Sequence, residues 1–300
     1  AVVGSFQRVG GHLRITARLV DVPSGATMAD AKVDGRMEDV FDLQDRIVRQ
    51  FSAMLGVETA YGSSTRVGVR ETSSLDAFRA ASEARVMVDS LNPVELESAI
   101  RAFDRAVRLD PRYAIAYAGL AEAHFLLYES TRAQNQADAD RLATAIGHAR
   151  RAIDLDDTLA EAHASLSLLL TSAGRFAEAV AAGRRAVSLD PHDWRHFFRL
   201  ANAAWGNERL DALRRALAIY SDLAFAHFEV AMVHIARGQM QLAAEALRMG
   251  TPLQDRQAGR ASRYPASGLH WLLGLVLLAQ GQIDDAQAEF QRELETGAPS

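Results

Sequence analysis

The phrase RAVRLDP at residues 105–111 returns as RAIDLDD at 151–157 and as RAVSLDP at 185–191. A chain that writes one phrase three times is building one unit three times. With Ala106, Ala152, Ala186 and Ala216 in register, the spacings are 46, 34 and 30 residues. A period near 34 with helical apolar spacing fits two antiparallel helices per unit. One such pair cannot hide its apolar face, so the pairs must stack, and the stack curves around a concave side.

The residues between the phrases carry the pattern of the tetratricopeptide repeat, which the chain resembles. That pattern wants a bulky residue at position 4, Leu at 7, a small residue at 8 and an apolar one at 11. It then wants Ala at 20, Phe at 24, Ala at 27 and Pro at 32. The unit from Ala160 supplies Leu166, Ser167, Leu170, Ala179, Ala186 and Pro191. The unit from Ala114 supplies Tyr117, Leu120 and Ala121, and the one ending near Pro111 supplies Ala99, Phe103 and Ala106. The last unit supplies Leu273, Gly274, Leu277, Ala286 and Phe290. Units near Trp194 and Ala224 are more degenerate. The expectation is a mostly α right-handed superhelix of about six helix pairs over 74–300. The long spacing points to about 12 extra residues within ESTRAQNQADADR (129–141), and the short one to a tightened turn at Gly206-Asn207.

The first 56 residues follow another period. Leu13, Ile15, Ala17 and Leu19 alternate with Arg14, Thr16 and Arg18, as in a strand with one buried face. Gly10-Gly11 predicts a hairpin turn, Pro23-Ser24-Gly25 a second turn, and TMADAKVD a third strand. Val40, Phe41, Ile47, Val48, Phe51 and Leu55 then make a helical stripe that Gly56 ends. Residues 57–73 read as a linker.

Residues 2–55 resemble the end of the TolB amino-terminal-domain-like module. The matching positions are Gly4, Ser5, Arg14, Ile15, Thr16, Leu19, Asp21 and Gly25, then Asp39, Val40, Phe41, Leu43, Gln44 and Asp45. The resemblance implies a small partial α/β module (β-β-β-α) over 1–56, lacking its first strand and helix and the usual aromatic residues around Met28–Val33. It also implies a regulatory role, with tetratricopeptide repeats following. A nucleotide cyclase, protein kinase or winged-helix DNA-binding domain often stands upstream. No catalytic residue is carried over, because the module offers none. The chain opens inside a strand with neither Met nor signal-peptide pattern, as expected for part of a longer protein.

Composition narrows the chemistry. There is no cysteine, so disulfides, thiolate metal sites and a cysteine nucleophile are out, and a cytoplasmic location fits. The net charge of −5 comes from interspersed acids and bases, so no nucleic-acid surface is expected. No run approaches the roughly 18 apolar residues of a membrane span; LHWLLGLVLLAQG (269–281) reads as a buried helix. There is no phosphate loop, nucleophile elbow or H-E-x-x-H pattern. His192 and His196 have a spacing that could share a metal, but no acidic residue shares their register, and neither a metal nor another cofactor is expected. Asp154, Asp156 and Asp157 lack the glycine and distal glutamate of a calcium loop. His163, His227 and His270 fall at position 4, where they replace a bulky packing residue.

The first helix of each unit should face the concave side at positions 2, 5, 6, 9, 12 and 13. In the later units these are Arg195, Phe198, Arg199, Asn202 and Trp205. Next come Phe225, Phe228, Glu229, Met232 and Ile235, then Trp271, Leu272, Leu275 and Leu278. Aromatic residues and arginine dominate binding hot spots. Asn202 alone matches the groups that clamp a terminal carboxylate, so that mode is not expected. The expected role is a non-enzymatic scaffold holding a peptide or helix of a partner protein, with homo-oligomerisation left open and no membrane or nucleic acid engaged by this segment. The alternative is the C-terminal regulatory fragment of a signalling enzyme, a cyclase or kinase, or of a winged-helix transcription regulator.

Overall fold

The computed structural model describes residues 1–54, 72–90, 92–257 and 266–296. Strands β1 (Val2–Val9), β2 (His12–Val20) and β3 (Thr27–Arg36) form an antiparallel sheet in that order, and helix α1 (Val40–Met54) follows. The turn between β1 and β2 falls on Gly10-Gly11, with Gly10 at φ 61°. Gly4 pairs with Ala17, and Ile15 with both Phe6 and Val33. The centre of this small core is Leu13, Val33 and Leu43. The helical stripe read from the sequence left out Leu43, yet it is the buried residue of α1. Gly35 is required beneath it, since a Cβ there would come within 2.7 Å of the leucine side chain. Leu55, Gly56 and the expected linker lie outside the described residues, apart from Thr72 and Ser73.

Six helix pairs follow: α2 (Leu75–Asp89) with α3 (Pro93–Leu109), α4 (Ala114–Ala133) with α5 (Ala139–Leu155), and α6 (Ala160–Ser172) with α7 (Phe176–Leu189). Then come α8 (Trp194–Ala203) with α9 (Gly206–Ile219), α10 (Ala224–Ala236) with α11 (Met240–Gln257), and α12 (Leu269–Ala279) with α13 (Ile283–Thr296). Ala106, Ala152, Ala186 and Ala216 are all fully buried, as their common register requires. Small residues let the helices approach: a Cβ at Gly119 would come within 2.2 Å of the Phe103 ring, and one at Gly274 within 2.5 Å of Phe290. The 46-residue spacing is absorbed mostly by a 20-residue α4, against 13 residues in α6, and for the rest by a longer turn and a 17-residue α5, against 14 in α7. The 30-residue spacing shortens α8 to ten residues.

The repeated phrase ends α3, α5 and α7 by one device. Asp110, Asp156 and Asp190 leave helical geometry for extended φ values of −139°, −152° and −136°. Each carboxylate then accepts the backbone N–H two residues on, from Arg112, Thr158 and His192, at 2.9–3.0 Å. Proline was expected to end these helices, but Asp157 stands in its place after α5 with the same outcome. Helix α9 leaves with the same extended geometry at Tyr220 (φ −134°), with neither aspartate there nor proline after it, so the aspartate hydrogen bond secures this turn without being its sole cause.

The first helices touch along the stack: α2 with α4, α4 with α6, α6 with α8 and α10 with α12. They form the inner surface of a tetratricopeptide-type superhelix. The sheet meets the stack where Phe41 of α1 and Phe78 of α2 pack edge to face, their centroids 5.3 Å apart. Among the described residues, no helix is long and apolar enough to cross a membrane.

Candidate functional site

The inner surface changes character along its length. On the C-terminal side, aromatic rings run from one first helix to the next. Phe198 of α8 meets Phe225 of α10 edge to face at 6.4 Å, and Phe225 stacks on Phe228 at 5.4 Å. Phe225, Met232, Trp271, Leu275 and Leu278 are exposed. Leu272, expected beside them, is buried in the core between α10, α11 and α12, while Phe228 and Ile235 are half-buried against that core. The apolar segment 269–281 is thus a helix with one face in the core and the other open.

Glu229 is not free to meet a partner. It is ion-paired with Arg209 of α9, both side chains being largely buried, and Arg209 lies over the Trp205 ring at 5.5 Å. Trp205 is well exposed, but it sits in the turn beyond α8. Asn202 is half-buried on α8.

On the N-terminal side the surface is charged. A recess of about 360 Å³ is lined by Arg85 and Asp89 of α2, Glu122 of α4, Glu161 and Ser165 of α6, and Arg195 and Arg199 of α8. Arg199 donates to Glu161 at 2.9 Å. Burial pushes the Glu161 carboxyl up, but the Arg199 charge and hydrogen bond outweigh it and hold the group below its ordinary value. Arg195 donates to Asp193 at 3.1 Å and lies over Trp194. The expected lining began only at Arg195. The same position rule applied to the units at Ala114 and Ala160 would have returned Ile115, Ala118, Glu122, Glu161 and Ser165, all of which line the recess.

The histidines divide. His192 is exposed on the turn before α8, whereas His196 is buried. His196 does have acidic neighbours, contrary to expectation: Glu161, from the preceding unit, and Asp193. His270 is more than a packing residue. Fully buried, it hydrogen-bonds Glu289 of α13 at 2.6 Å and Asp255 of α11 at 2.9 Å. Beside it, Glu293 accepts the backbone N–H groups of Gly268 and Trp271 and so caps α12.

Against known proteins, the tetratricopeptide repeat family model matches residues 95–133 and 130–193. A curated relative, "Putative adenylate cyclase 3" of Rhizobium meliloti (strain 1021), is 30% identical over 176 residues, which cover 59% of this chain. The chain spans about 30% of that relative's length. Among solved structures, the type IV pilus biogenesis factor PilW is similar with a TM-score of 0.58 and 16% identity, over 73% of this chain and 92% of that one. The pilF protein of Pseudomonas aeruginosa is similar with a TM-score of 0.54 and 16% identity, over 72% and 91%. At such identities these two speak for the fold alone. Residues 95–193 are tetratricopeptide repeats, carried on a superhelix of that type.

Proposed function

We propose that the chain is a docking scaffold whose inner surface holds a peptide or helix of a partner protein. The observation that carries this reading is the run of rings Phe198, Phe225 and Phe228, continued by exposed Met232, Trp271 and Leu275. Apolar side chains left open on one continuous face mark an interaction surface. The charged recess at the other end would set the direction of the bound segment through Arg195, the more exposed of its two α8 arginines. These residues are read as non-catalytic: Glu161 of the recess is ion-paired with Arg199, and Asp193 beside it with Arg195. A photo-crosslinking residue at Trp271 tests the reading, with the outer-face residue Met249 as control. Crosslinks from position 271 that vanish in Phe225→Ala/Met232→Ala are expected. Identical products from both positions would sink the groove.

A second, compatible reading rests on the cyclase-named relative and on the TolB-like resemblance of residues 1–56. Here the chain is the C-terminal regulatory part of a longer cytoplasmic signalling protein, its output domain a nucleotide cyclase, a protein kinase or a winged-helix DNA-binding domain. The purified 300 residues should make no cyclic nucleotide from ATP or GTP in a direct assay. Turnover by this piece alone would refute the division of labour.

A further inference from the structure

His196 stands in the first turn of α8, 2% exposed. Its Nδ1 is shut away from solvent and has no hydrogen-bond partner. A buried polar atom left unpaired is uncommon in folded proteins and calls for an explanation. A ring nitrogen of His196, a carboxylate oxygen of Asp193 and one of Glu161 all lie within 4.8 Å of one another. Asp193 belongs to the turn before α8 and Glu161 to the first turn of α6, and these two helices pack together.

We propose that Glu161, Asp193 and His196 form a three-ligand site for a divalent cation of the Zn²⁺ class, beside the recess that Glu161 lines. One imidazole with two carboxylates suits first-row ions such as Zn²⁺ and Co²⁺ better than Ca²⁺, which gathers six to eight oxygens. Tetrahedral coordination with bonds of about 2.0–2.2 Å places ligand atoms roughly 3.3–3.6 Å apart, so closing on an ion needs shifts of about 1 Å.

The two arginines define how the ion enters. Arg199 holds Glu161 at 2.9 Å and Arg195 holds Asp193 at 3.1 Å, so both carboxylates are neutralised before an ion arrives. Binding is therefore an exchange: the ion takes the carboxylates, and Arg199 is released toward the recess. A lone histidine buried for packing predicts no such competition.

Isothermal titration of the metal-free chain with ZnCl₂, CoCl₂ and CaCl₂ tests the site without any peptide, so its outcome is separate from that of the groove. One Zn²⁺ or Co²⁺ per chain is expected, with no heat from Ca²⁺. Asp193→Asn keeps a side chain able to cap α8 but removes the charge, and should weaken Zn²⁺ at least tenfold, as should His196→Gln. Arg199→Gln should tighten Zn²⁺ several-fold, and His192→Gln should leave it unchanged. Affinity unmoved by Asp193→Asn, or lost on His192→Gln, overturns the proposal. If thermal melts in EDTA show that Asp193→Asn or His196→Gln fails to fold, Arg199→Gln decides: tighter binding supports the site, and equal or weaker binding overturns it.

Discussion

The sheet with α1 and the stack of helix pairs bury their apolar residues in opposite ways. In the stack, clusters from neighbouring pairs follow one another: one centres on Phe103 and Leu120, another on Leu169 and Leu170, a third on Leu213 and Leu223. Each pair is completed by the next copy of itself. The sheet instead has one thin core, Leu13, Val33 and Leu43, pressed under one helix. All eight residues of β1 are exposed, among them Val2, Val3, Phe6 and Val9. A repeat architecture supplies its own neighbours at a fixed distance along the chain. Strands β2 and β3 bury one face under α1, while β1 is open on both.

If that contrast is right, damage should stay on its own side. The largest effect is expected from Phe103→Ala. The ring is 1% exposed and lies directly against Gly119, so truncation should cost the stack about 3–5 kcal/mol. All three tryptophans (Trp194, Trp205 and Trp271) lie in the stack, so the urea midpoint of their fluorescence reads this loss. Leu43→Ala should cost about 2–3 kcal/mol, because a thin core collapses more easily around the gap. Hydrogen exchange in β2 and β3 should quicken while the tryptophan midpoint holds. A fluorescence midpoint that falls as far for Leu43→Ala as for Phe103→Ala would make the two regions one cooperative unit and end the contrast.

The same contrast explains what could be read from sequence. Alternation in β2, the Gly10-Gly11 turn and the alanine register are local signals, each set by a period of two, of 3.6, or of one repeat. Everything the register determines, including the six pairs and the buried alanines, was therefore legible. What a face meets was not. Leu43 slipped from the stripe because the helix turns it toward Val33, ten residues back on a different element. The partner of Arg199 is Glu161, 38 positions away, and the carboxylates that hold His270 come from helices on either side. Such pairings depend on the angle between consecutive units, which no single unit encodes.

Acid should separate the regions by a smaller margin. His124 of α4 and His148 of α5 stack at 5.5 Å, and burial holds both below the ordinary value of 6.5, with their mutual repulsion adding to the effect at His124. Arg141 also pushes His124 down, while Asp104 pulls both up and Glu97 pulls His124 up. The unfolded chain takes up protons that the folded pair resists. This contribution to stability is therefore complete above 6.5 and is lost as pH falls from there through the lower folded values. Asp34 of the sheet, held down by its hydrogen bond from Arg14, works in another window: its contribution is present above the ordinary value of 3.8 and is lost only below it. Tryptophan-monitored urea midpoints should fall from pH 7.5 to 5.5 for the wild type and fall less in His124→Phe/His148→Phe, the remainder belonging to His196 and His227, which burial also holds down. Exchange protection in β2 and β3 should be the same at both pH values. Equal acid sensitivity of sheet and stack would contradict this assignment.

The smallest effect concerns the phrase that recurs. Asp190 accepts the N–H of His192 at 3.0 Å as the chain leaves α7, and Asp156 does the same without a following proline. If the carboxylate secures the turn, Asp190→Ala should cost about 0.5–1.5 kcal/mol, the worth of one hydrogen bond. Asp190→Asn should recover most of this, because its side-chain oxygen can accept the same bond. Pro191→Ala should change stability by about 0.4–1 kcal/mol at most, the size of the unfolded-state entropy it alters. If Pro191→Ala instead costs more than Asp190→Ala, the turn belongs to proline stiffness, and the shared geometry at Asp156 then needs its own cause. The comparison is clean because both substitutions sit in one exposed turn of the stack, where neither touches the sheet.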